Sequence, residues 1–89
     1  MTSLKKKKVA DTICFLLGLR PKKGIEFGML AELVFQDVRY DFHSLTRREV
    51  LDQLRALKAR HIITGKLRKS STLRLNKTLI GKEIDYEQA

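Results

Sequence analysis

The sequence predicts a single α+β domain in which three helices are closed by a C-terminal β-hairpin. Three observations carry that prediction. Apolar residues recur at helical spacing in two early segments, about residues 4–17 and 28–38. The run Thr46-Arg47-Arg48-Glu49 has the form of a capping box ahead of a third helix. Beyond that helix, Leu73-Arg74-Leu75 alternates apolar and charged residues, as a strand with one buried face does. The 89 residues fit one domain, with a core over about 5–77 and a tail over 78–89. A chain this short buries a small core, so each core residue counts heavily.

The first helix runs from about Leu4 to Leu17, with Val9, Ile13, Leu16 and Leu17 as its apolar stripe and Ala10 and Cys14 widening it. Lys5, Lys6, Lys7 and Lys8 fall in its opening turns, where they oppose the helix macrodipole. Either the helix begins later, near Val9, or those lysines meet an anion. Gly18 and the run Arg20-Pro21-Lys22-Lys23-Gly24 end the helix in a loop. Ile25-Glu26-Phe27 reads as a very short strand. A second helix follows over about Gly28–Val38, with Leu30, Leu33, Val34 and Val38 on its apolar face and Met29 and Phe35 flanking. The third helix starts at the Thr46 cap and ends at Arg60, with Leu45 and Val50 placed as a hydrophobic staple and Leu54 and Leu57 as core. Ile63–Leu67 and Thr72–Asn76 are the hairpin strands, joined through Lys69-Ser70-Ser71.

The formal net charge is +9, which favours polyanionic partners. Its distribution is uneven. Residues 1–24 carry +6, residues 44–60 carry +3 and residues 61–77 carry +5, while the intervening 25–43 carries −3 and the tail −2. Positive charge therefore gathers on the first helix, the third helix and the hairpin.

Several function classes are disfavoured. No apolar run reaches the roughly 20 residues needed to span a bilayer, so no membrane partner is expected. The opening MTSLKKKKVADTICFLLGLR mimics a signal peptide, but Asp11 and Thr12 interrupt it, and a cytoplasmic setting is expected. The lone Cys14 fits a reducing compartment and a small core role. His43, His61 and Cys14 lack metal-ligand spacing, and no acid, base and nucleophile converge. No catalysis, metal, cofactor or small-molecule substrate is therefore expected. Phe15, Phe27 and Phe35 read as core, leaving Tyr40 and Phe42 as the aromatics with a plausible stacking role.

The segment "VLDQLRALKARHII", residues 50–63, resembles the recognition helix of the winged helix-turn-helix family, and "TLRLN" resembles the return strand of its wing. The resemblance covers roughly residues 5–77. It departs from the family at His61, where members often carry Gly, and at Leu51 and Asp52, where small polar or basic residues are usual. The resemblance implies a winged helix: a three-helix core with a β-hairpin wing. It implies double-stranded DNA as the partner, a role in transcription regulation, and association with the nucleoid when bound. The third helix would enter the major groove with Arg47, Arg48, Leu51, Asp52 and Arg55 facing DNA. Lys66, Arg68, Lys69, Ser70 and Arg74 would form the wing contacts, and Lys5–Lys8 a further backbone contact. Arg can bond guanine bidentately, and Lys or Arg neutralises phosphate with counterion release. Such small domains often act as homodimers, here through the first helix or the tail. The same fold also serves as an interaction module that docks on a protein or RNA partner.

Overall fold

The computed structural model describes residues 3–79 and shows a small α+β domain of three helices and a three-stranded antiparallel sheet. The order is α1 (Ser3–Gly18), β1 (Ile25–Glu26), α2 (Phe27–Val38), α3 (Arg47–Ala59), β2 (Ile63–Thr64) and β3 (Thr72–Leu75), then a 3-10 turn at Lys77–Leu79. This arrangement is compatible with a winged-helix layout. Strand β3 lies in the centre, pairing with β1 at Ile25↔Leu73 and with β2 at Ile63↔Leu75. Most of the tail, from Ile80 onward, lies outside the described residues. No helix among the described residues is long and apolar enough to cross a membrane.

The three helices bury their stripes against one another and against the inner face of the sheet. Val9, Ile13, Leu17, Leu30, Val34, Val38, Val50, Leu54, Leu57, Ile63 and Leu73 are essentially inaccessible to water. Burying each such side chain contributes roughly 1.5–3 kcal/mol. On β3 the expected alternation holds: Leu73 and Leu75 point into the core and Arg74 points out.

Helix α1 begins at Ser3, so the lysines lie inside it and the later start near Val9 does not occur. One of them does meet an anion. Lys5 stands four residues before Val9, on the Val9–Ile13–Leu17 stripe, and is only 8% exposed. Its ammonium pairs with Glu49 Oε2 at 3.1 Å and donates to Ser44 Oγ at 3.1 Å. Glu49 is also the closing residue of the predicted capping box. Its amide donates to Thr46 Oγ1 at 3.2 Å, and its Oε1 accepts from the Thr46 amide at 2.9 Å. The two staple positions, Leu45 and Val50, are both buried. The start of α3 is thus locked to the start of α1 through one carboxylate.

Two glycine-like positions shape the approach to the hairpin. Helix α3 ends in a Schellman motif: the His61 amide donates to Lys58 O at 3.0 Å and the Ile62 amide to Leu57 O at 3.0 Å. That motif requires a left-handed residue, and His61 supplies it with φ 60°. Strand β2 is shorter than the predicted Ile63–Leu67: Gly65 adopts φ 116°, and a Cβ at that position would run into the Thr72 carbonyl. The chain then turns over Arg68–Ser71, closed by the Ser71 amide on Arg68 O at 3.2 Å, with Ser70 at φ 70°.

Two apolar assignments need correction. Phe15, expected in the core, is 65% exposed, because it projects from α1 opposite the Val9–Ile13–Leu17 stripe. Leu33 is also exposed and Phe35 takes its place in the core. Phe42 packs against the core, whereas Tyr40 stands 81% exposed.

Candidate nucleic-acid interface

Helix α3 presents Arg48, Asp52 and Arg55 at helical spacing on its solvent face. Asp52 sits between the two arginines, 4.0 Å from Arg48 Nε and 3.6 Å from Arg55 Nη1. All three side chains are at least half exposed to water or close to it, so these contacts are weak and easily exchanged. The result is a face carrying two guanidinium groups with one carboxylate holding them in register. Asp52 is within ion-pair reach of both arginines and is itself about half exposed. Leu51, beside it in sequence, is half-buried.

Arg47 belongs elsewhere. Its Nε and Nη2 donate to Glu32 Oε2 and Oε1 at 3.1 and 3.0 Å, a bidentate pair between α3 and α2. Its guanidinium also lies 4.4 Å from the Phe35 ring centroid, within cation–π range. The hydrogen bond from Arg47, joined by one from Gln36, lowers the Glu32 carboxyl from its ordinary value of 4.5 to about 2. The same partnership raises the Arg47 guanidinium. Arg47 is therefore engaged with α2 in this structure while its side chain stays 66% exposed. The acidic second helix is in part the counterpart of this arginine.

On the wing, Lys66, Arg68, Lys69 and Ser70 are all exposed. Among the described residues, Lys66, Arg68 and Lys69 form no ion pair. A cationic loop without internal carboxylates carries self-repulsion that an external anion relieves. Arg74, predicted with this group, is separated from it. It lies on the outer face of β3 and its Nε donates to the Lys22 carbonyl at 2.8 Å, fixing the loop between α1 and β1. Arg74 thus ties that loop to β3 while remaining exposed.

The first-helix lysines divide. Lys5 is internal, paired with Glu49, and is withdrawn from any surface contact. Lys6, Lys7 and Lys8 are exposed. Lys6 and Lys7 line a groove between α1 and α3 together with Gln53 and Arg60, two residues the sequence alone did not single out. Their spacing held the signal: Gln53, Ala56 and Arg60 recur at three and four residues along one flank of α3.

The structure thus brings together Arg48, Asp52 and Arg55 on one helical face, gathers Lys66, Arg68, Lys69 and Ser70 on one loop, buries Lys5 against Glu49, and engages the exposed Arg47 and Arg74 with Glu32 and the Lys22 carbonyl. Comparison of the chain with known proteins returns no matching family model, no matching curated protein and no matching solved structure.

Proposed function

We propose that this chain is a winged-helix protein that binds double-stranded DNA and regulates transcription, with α3 in the major groove and the β2–β3 wing on the phosphate backbone. The observation that carries this reading is the pairing of two solvent-facing guanidinium groups on α3 with a wing whose three cations lack internal carboxylates. Arg48 and Arg55 suit base-edge or phosphate contact, and Lys66, Arg68 and Lys69 suit phosphate. Ser70 adds a small hydroxyl donor at the same tip. The net charge of +9 supplies long-range attraction.

Titration of duplex DNA at low and moderate salt tests the reading. The Arg68→Ala/Lys69→Ala variant should weaken every sequence alike and reduce the salt slope by roughly 0.9 per cation removed. Arg48→Ala should relax sequence preference instead. Micromolar or weaker binding with no salt slope in the parent protein overturns the proposal.

A second reading is favoured by a different observation. Leu4, Phe15, Leu19, Met29, Leu33 and Tyr40 are large hydrophobic side chains that remain exposed. Under this reading the domain is an interaction module docking on a protein or RNA partner. A partner retained in pulldown after nuclease digestion supports the module; loss of every partner on digestion supports the duplex binder.

A further inference from the structure

Helix α3 places Arg48 and Arg55 two turns apart, so both return to nearly the same bearing on its outward side. At about 1.5 Å of rise per residue they stand about 10.5 Å apart along the axis. That distance is about three base-pair steps of duplex DNA, at roughly 3.4 Å each. Asp52 lies between them, and one of its oxygens, Oδ1, reaches both: 4.0 Å to Arg48 Nε and 3.6 Å to Arg55 Nη1. The contact on Arg48 is made through Nε, the nitrogen nearest the stem, rather than through the terminal pair that can bond guanine O6 and N7 together. Helix α3 carries a second carboxylate, Glu49, but that one is turned to Thr46 and Lys5.

A carboxylate on this face has a cost. It offsets one of the two positive charges that the arginines bring, which weakens attraction to every duplex alike. A face that served only to hold phosphate would gain by losing it. What the carboxylate supplies is direction. An unconstrained arginine samples many rotamers, and a planar fork held near its bonding pose loses less freedom on binding. In water the two contacts are weak, and they strengthen where a DNA groove displaces solvent. We propose that Asp52 is a positioning residue that presets Arg48 and Arg55 for two guanine edges in the major groove, about three base pairs apart. The inference rests on the duplex-binding reading and deepens it. It names the class of sequence that α3 reads, and it accounts for an acidic residue in the middle of a basic face.

The test measures the affinity of parent and variant proteins for duplexes of A·T pairs that carry two guanines on one strand, spaced one, three or five base pairs apart, with folding checked by circular dichroism. The parent should favour the spacing of three by roughly tenfold, because a bidentate guanine contact discriminates by about that factor or more. Asp52→Asn should bind all three duplexes several-fold tighter yet hold them within about twofold of one another. Asp52→Glu, which keeps the carboxylate, should retain the parent's preference. Arg48→Ala and Arg55→Ala should each lose the preference together with affinity. A parent that binds duplex with a salt slope but does not favour the spacing of three overturns the guanine pair and leaves the duplex reading intact. A preference that survives in Asp52→Asn overturns the positioning role, as does one lost in Asp52→Glu. A parent protein with no salt-dependent duplex binding overturns both readings.

Discussion

Replacing Lys5 by methionine separates an internal lysine from its surface neighbours. Methionine keeps much of the aliphatic stem and removes the ammonium, so packing against α1 is largely preserved. Lost are the 3.1 Å pair to Glu49 and the 3.1 Å bond to Ser44. A hydrogen bond to a charged group contributes about 1.5–3 kcal/mol. Two would suggest more, but Ser44 is exposed and the Glu49 side chain is 21% exposed, so water replaces part of what is lost. Removing the buried ammonium also returns some desolvation cost. The net destabilisation is about 2 kcal/mol, or a fall in Tm of about 8–16 °C for a domain of this size. By contrast, Lys6→Met, Lys7→Met and Lys8→Met should each stay within about 0.5 kcal/mol of the parent. Urea denaturation followed by circular dichroism measures all four. The pH dependence adds a check. Glu49 is held below its ordinary 4.5, first by the Thr46 amide and further by Lys5. A depressed carboxylate contributes stability that is complete above the unfolded value and is lost as pH falls through the folded one. The gap between parent and Lys5→Met should therefore be widest near neutral pH and narrow below 4.5. A Lys5→Met protein as stable as the other three variants at neutral pH refutes the pairing.

Two further perturbations follow from the same geometry. His61→Gly relieves a left-handed residue in the Schellman motif and should stabilise the domain by about 0.5–1 kcal/mol in urea denaturation, whereas a loss of stability contradicts the assigned backbone. Asp52→Asn removes the carboxylate between Arg48 and Arg55 and should tighten duplex binding several-fold, with a steeper salt dependence. Weaker binding confined to sites that carry one C·G pair would instead make Asp52 a base reader.

What could be read from the sequence was what local spacing encodes. The Thr46–Glu49 capping box is four consecutive residues, and the Leu73-Arg74-Leu75 alternation is three; both appear as expected. The stripes of the helices located most of the core for the same reason. Phe15 was misplaced because it is apolar by type, although its position lies opposite Val9, Ile13 and Leu17. The candidate site was only partly legible. Charge composition pointed to α1, α3 and the wing, but composition does not say which cations are consumed internally. Arg47 meets Glu32 across 15 residues of sequence and Arg74 meets Lys22 across 52, partnerships that only the packed fold creates. For Lys5 a local signal did exist, since it continues the Val9–Ile13–Leu17 stripe by one turn. The departure at His61 carried information as well: a position where the resembled family prefers Gly is here one that needs positive φ.

We propose that α3 and the wing grip duplex DNA and that α3 reads it. Selection of the purified chain against a pool of random duplex oligonucleotides measures both at once. The account predicts retention that falls steeply with salt and enrichment of a short motif, with the motif degraded in Arg48→Ala and retention lowered for all sequences in Arg68→Ala/Lys69→Ala. A pool recovered at low salt with no enrichment contradicts the reading role of α3, and no recovery even at low salt contradicts the account as a whole.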